Sequence, residues 1–98
     1  MSRSTPRPIM QLLDLVGRRW TLRILWELRD ASLSFRALRE RCDDLSPSVL
    51  NARLAELRDA GLVELGDEGY ALSAEGRALG QHLLPLDAWA RRWAARRR

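Results

Sequence analysis

The chain is poor in the side chains from which catalytic and metal centres are built. It has one cysteine in 98 residues, so no intrachain disulfide can form, and a reducing compartment suits it. It has one histidine, His82, and no second histidine or cysteine at metal-ligand spacing. No glycine-rich phosphate loop, carboxylate dyad or nucleophile–base pair is evident. The chain is therefore read as a non-enzyme, with no cofactor and no metal expected. No apolar run approaches membrane-spanning length, and the N-terminus lacks the apolar core of a signal peptide. A cytoplasmic protein that does not touch membranes is the expectation. Lysine is also missing: all 17 basic residues are arginine.

What is present suffices for one small folded domain. Hydrophobic residues make up 46% of the chain, enough for a modest core. Domains of this size are marginal, so dimerisation is a natural source of extra stability. The net charge of +4 favours nucleic acid or another polyanion as partner. Much of that excess lies at the two ends.

The stretch from Asp44 to Leu62 organises the rest. It reads as a helix with both ends marked: Ser46 as N-cap, Pro47 at the first helical position and Gly61 at the left-handed position beyond the end. At 100° per residue, Leu50, Leu54, Leu57 and Gly61 fall on one side. Ser48, Asn51, Ala52, Ala55 and Asp59 fall on the other. An outer face of small and polar residues lets a helix backbone approach a groove closely. Taken alone, it equally fits an ordinary surface helix.

The surrounding chain adds the context. Residues 1–8 are polar and proline-rich and read as a flexible N-terminal tail. Arg3 and Arg7 belong either to that solvated tail or to an arm reaching into a minor groove. Residues 9–16 form a short apolar helix interrupted by Gly17. Residues 20–29 form a second, with Trp20, Ile24, Leu25 and Leu28 at core spacing and Trp26 off that stripe. Residues 31–34 are a connector with one strand-like pair. Residues 35–42 form a third helix capped by Ser34, and Cys42 falls on its core face, where a packing role is expected. Asp43 and Asp44 then turn the chain into the organising helix. Two short helices joined in this way make a helix-turn-helix over residues 34–61.

Residues 62–72 read as a hairpin, or wing. Two strand-like segments flank Gly66-Asp67-Glu68-Gly69, and the alternation Val63/Leu65 and Tyr70/Leu72 predicts one buried face. Ser73 caps a last helix over residues 73–96, kinked at Pro85. Its apolar stripe, Leu79, Leu83, Leu86, Trp89, Ala90 and Trp93, is too long for one small domain to cover. It is expected to dimerise against the first helix of a second copy, with folding back onto its own core as the alternative. The fold class is mostly α with a small β-hairpin (α+β): one winged helix-turn-helix domain over residues 9–98, with extra N- and C-terminal dimerisation helices.

Several stretches resemble the HxlR-type winged helix-turn-helix transcriptional regulators. The most specific is Leu13-Asp14-Leu15-Val16-Gly17-Arg18-Arg19-Trp20-Thr21-Leu22-Arg23-Ile24-Leu25. Ser34-Phe35-Arg36-Ala37-Leu38-Arg39, the run from Leu45 to Leu54, Tyr70-Ala71-Leu72-Ser73-Ala74-Glu75-Gly76, and Leu84-Pro85 followed by Trp93 carry the rest. The resemblance implies a homodimer binding operator DNA, usually as a repressor, with dimerisation through the first and last helices. Two departures stand out. The family wing is usually longer and basic, whereas this one is short and acidic. Some members sense oxidants through a cysteine near the N-terminus, and this chain has none before Cys42.

These readings define a site. Ser48, Asn51 and Ala52 are expected at base edges, Asn51 pairing adenine and Ala52 touching a thymine methyl. Ser34, Arg36, Ser46 and Arg53 are expected at phosphates, with Arg39 and Arg58 as weaker candidates. Leu12, Leu13, Val16, Leu83, Leu86, Trp89 and Trp93 are expected at a dimer interface. Trp20, Trp26, Trp89 and Trp93 either pack in core and interface or line an aromatic effector cavity between the halves; no effector is indicated. The partner expected is double-stranded DNA. A second reading is a winged-helix protein–protein module, and ion pairing of Arg36 and Arg53 to Glu40, Glu56 or Asp59 would favour it.

Overall fold

The fold is that of a computed structural model, which describes residues 7–97. The tail expected over residues 1–8, Arg3 included, lies outside that range for residues 1–6. The described chain runs α1 (Pro8–Val16), α2 (Thr21–Glu27), α3 (Phe35–Arg41), α4 (Pro47–Asp59), β1 (Val63–Gly66), β2 (Gly69–Leu72) and α5 (Ala74–Arg96). It is a mostly helical winged helix-turn-helix. Helix α1 starts at Pro8, one residue earlier than expected, because a proline at the first helical position gives up no backbone bond.

The caps decide where the elements begin and end. The hydroxyls of Ser34, Ser46 and Ser73 accept the backbone N–H of Ala37, Val49 and Gly76 respectively. At the end of α4 the N–H of Leu62 donates to Leu57 O and that of Gly61 to Arg58 O. Gly61 adopts φ +79°, so α4 closes in a Schellman motif that a Cβ would strain. The Ser73 hydroxyl also donates to Gly61 O at 2.6 Å, which ties the end of α4 to the start of α5.

Helix α2 is shorter than the sequence pattern suggests. Trp20 stands outside it at φ +79°, a left-handed conformation uncommon for a bulky residue. The tight turn after Gly17 imposes it, and the indole still packs against the core. The expected strand-like pair in the connector is a bridge between Leu33 and Tyr70.

Ile24, Leu25, Leu28, Leu38, Cys42, Leu50, Leu54, Leu57, Val63 and Leu72 form one buried cluster. Helix α2 packs against α1, α3 and α5, while α4 leads into β1. The strands are antiparallel, from Val63 opposite Leu72 to Gly66 opposite Gly69, around the two-residue tip Asp67-Glu68. The one-buried-face expectation holds only at the base of this hairpin. Val63 and Leu72 are buried, but Leu65 is exposed and Tyr70 half-buried, because the tip projects beyond the core.

Helix α5 runs as one element through Pro85. Gly76 is its one buried residue, because the helix starts directly over the carbonyl of Leu62, where a Cβ would collide. At Gly80 the same group would meet only ordinary contact with Leu72. Gly76→Ala is therefore expected to lose about 1–3 kcal/mol through overpacking. Gly80→Ala is expected to be neutral or to gain up to about 1 kcal/mol of helix propensity. Urea unfolding of the two variants against the parent checks the difference, and equal effects would refute the close approach.

Candidate nucleic-acid interface

The buried stripe Leu50, Leu54 and Leu57 fixes the rotation of α4. With that side in the core, Ser48, Asn51, Ala52, Ala55, Arg58 and Asp59 are all exposed. The three residues expected at base edges thus share one outward face of small side chains. Ser46 lies at its N-terminal end, 3.4 Å from Ser48 between hydroxyl oxygens.

The turn before α4 is held by an unusual backbone and by arginine. Asp43 and Asp44 adopt φ +60° and +58°, which Asp tolerates better than most residues. Arg39 Nε donates to Leu45 O at 2.6 Å. Arg23 donates to Glu27 at 2.8 Å and to Arg41 O at 2.6 Å, and lies 3.6 Å from Asp43. Glu27 and Asp43 hold the Arg23 guanidinium more firmly protonated than usual, with the Glu27 hydrogen bond as the main cause. Arg39 is accordingly a strut of the motif.

The phosphate candidates divide sharply. Arg36 is 91% exposed and meets Glu40 only at 3.6 Å, a surface pair worth little. Arg58 is exposed in the last turn of α4, and no ion pair involves it among the described residues. Arg53 is different. Its side chain is only 18% exposed and its Nη2 donates to Glu56 at 3.1 Å. Arg18 approaches the same carboxylate oxygen at 3.7 Å. Position 53 lies beside the buried stripe, so the Arg53 stem is drawn inward and its head is paired with Glu56 rather than left free. Arg58, the weaker candidate from sequence, is the freer cation. Ser34 is exposed at the start of α3, its hydroxyl engaged as cap.

Val49 was missed by the sequence reading. It is exposed in the first turn of α4, beside Ser48 and off the leucine stripe. That offset was the available signal for an apolar side chain able to meet a thymine methyl. The hairpin contributes no cation: Glu64, Asp67 and Glu68 are exposed, and residues 63–72 contain no arginine.

The expected interface residues fall into two groups. Leu13, Leu86, Trp89 and Trp93 are exposed, and the two indoles stack at 5.7 Å between ring centroids. Leu12 and Val16 are half-buried. Leu83 is half-buried and packs against the chain's own core. It also lines an open surface groove with Leu22, Trp26 and Leu86. Trp20, Trp89 and Trp93 are absent from that groove, so the four tryptophans do not converge there within one chain. His82 is exposed on α5.

The comparisons agree with this geometry. The model of the HxlR-like helix-turn-helix family matches residues 15–98. The chain belongs to that family. It is a helix-turn-helix transcriptional regulator, and HxlR-like proteins are DNA-binding proteins, not enzymes. An uncharacterised HTH-type transcriptional regulator of Bacillus subtilis, YvaP, is 30% identical over 88 residues, covering 83% of this chain and 82% of its own. Quinone-bound YodB from B. subtilis superposes with a TM-score of 0.78 at 30% identity, covering 86% of this chain and 96% of its own. A possible HxlR family transcriptional factor from Thermoplasma volcanium gives a TM-score of 0.80 at 27% identity, covering 92% and 87%. Among the described residues, no helix is long and apolar enough to cross a membrane.

Cys42 closes α3 and is fully buried. Burial raises its thiol pKa above the ordinary value, and the nearby Glu27 and Asp43 add to this against the opposing pull of Arg23. The unfolded chain therefore ionises first as pH rises, so Cys42 costs stability above the ordinary thiol range. Alkylation of the native protein at pH 8 should be at least about 100-fold slower than of the unfolded chain, since attack needs a thiolate and an opening event. Comparable rates, followed by mass spectrometry, would refute the buried placement.

Proposed function

We propose that this protein is a transcriptional repressor that binds a pseudo-palindromic operator as a homodimer, inserting α4 of each protomer into the major groove. Its site of action is the cytoplasm. The observation that carries this reading is the outward face of α4. Three leucines hold it toward solvent, and its small side chains allow close approach. Asn51 is the one side chain of that face suited to bidentate pairing with adenine, while Ala52 and Val49 suit thymine methyls. Arg36 and Arg58 supply phosphate contacts, with the Ser34 and Ser46 caps beside them.

Dimerisation rests on unpartnered apolar surface. Helix α1 has no buried residue. Of ten large apolar side chains exposed among the described residues, three lie on α1 and four on α5. A second copy covers both helices and places two reading helices about 34 Å apart, one turn of DNA.

A protein–protein module is the second reading. The paired Arg53 and the acidic hairpin favour it, because neither helps to hold a duplex. Equilibrium binding to duplex DNA over a salt series separates the two. Arg36→Ala and Arg58→Ala should each reduce the slope of log K against log salt by about 0.9, one phosphate contact apiece. Asn51→Ala should relax base preference at one position per half-site, by about 1–3 kcal/mol. Binding indifferent to salt and to all three changes would support the protein-partner reading. Replacing Trp89 and Trp93 together by alanine should shift sedimentation toward the monomer, and an unchanged dimer would remove them from the interface.

A further inference from the structure

Arg18, Arg53 and Glu56 form a charged cluster on the flank of α4. One carboxylate oxygen of Glu56 serves two guanidinium groups, Arg53 Nη2 at 3.1 Å and Arg18 Nε at 3.7 Å. The hydrogen bonding is incomplete. Arg53 Nε and Glu56 Oε1 are both out of contact with solvent and without a partner. Charge, more than a saturated bonding pattern, therefore holds Arg53 against the protein.

Position matters as much as charge. Glu56 is four residues beyond Ala52, so it lies one turn along the helix beside the outward face. Arg53 lies farther round, against the buried stripe. The carboxylate thus stands between the surface that faces DNA and a cation drawn inward.

We infer that Glu56 limits the grip of α4 on phosphate by holding Arg53 in a clamp shared with Arg18. Glu56 is in this sense a positioning residue. The inference rests on the DNA-binding reading and adds to it an internal restraint on affinity. Without the Glu56 charge, a guanidinium that cannot lose its proton is left half-buried with no counter-charge. That state is worse than reorienting a long side chain toward water. Arginine can keep its stem on the apolar surface while its head moves outward. Its head then joins Arg58 and Arg36 among the available cations.

The test compares the parent with Arg53→Ala, Glu56→Gln and the double variant on a non-specific duplex over a salt series, with circular dichroism confirming the fold. Arg53→Ala should leave the slope unchanged. Glu56→Gln should tighten low-salt binding and steepen the slope by about 0.9, one phosphate gained, and the double variant should lose that gain. Glu56→Asp keeps the charge but shortens the reach, and should fall between parent and Glu56→Gln. Should Glu56→Gln not fold, the Asp variant alone decides, an unchanged slope refuting the clamp. Flattening by Arg53→Ala alone would overturn the inference, as would a double variant that keeps the steeper slope. No steepening in Glu56→Gln beside a salt-sensitive parent overturns this inference alone. A parent with no salt-dependent binding overturns the DNA reading and the inference with it.

Discussion

The burial of Leu50, Leu54 and Leu57 is the constraint on which the other features depend. Three leucines at helical spacing give α4 one side that water excludes, and the core of α2 and α3 side chains receives it. A helix so anchored has no freedom to roll. Its opposite face is presented whatever that face carries, and here it carries small groups. The Ser46 cap and the Schellman close at Gly61 set the length of that face, so rotation and extent are fixed by separate local interactions. The link from Ser73 to the Gly61 carbonyl then couples the end of α4 to the helix that carries most of the exposed aromatic surface.

That arrangement separates two kinds of apolar surface. The core cluster is closed within one chain, and Cys42 belongs to it as a small hydrophobe. The side chains of α1 and of the later turns of α5 are apolar without being covered. Stacking of Trp89 on Trp93 hides part of each indole, but both remain about half exposed, 51% and 47%. Exposed aromatic surface of this extent is unusual on a soluble monomer and is typical of an interaction face. The closed core and the uncovered apolar face are therefore built from different residues, and Leu83, packed on the core from α5, sits at the boundary between them.

The parts legible in the sequence were those governed by local rules. Serine caps at Ser34, Ser46 and Ser73, the glycine after α4 and the leucine stripe follow from neighbours within four residues. So do the hairpin turn and the placement of Cys42. What escaped depends on tertiary position. The left-handed conformation of Trp20 belongs to the tight turn that carries α1 into α2, and no propensity of tryptophan signals it. The exposure of Leu65 follows from how far the hairpin projects. The inward turn of Arg53 was half legible: its partner Glu56 stands three residues on, but a helical wheel places residue 53 only on a flank, and the approach of Arg18 to the same carboxylate depends on tertiary position.

Arginine usage is where composition misleads most. A net charge counts cations without locating them, and several of this chain's guanidinium groups brace its own backbone. Arg23, Arg29, Arg39 and Arg77 each donate to a backbone carbonyl, a role suited to a planar group with several fixed donors. Arg53 is held by a carboxylate. Lysine, with a compact head on a flexible stem, is a poorer brace at such positions, which gives the all-arginine composition a structural reading. The least engaged cations around α4 are therefore few, chiefly Arg36 and Arg58. With an acidic hairpin beside them, one protomer offers little positive charge, and on the proposed reading affinity rests on pairing two protomers, because two modest half-sites joined rigidly bind far more tightly than one.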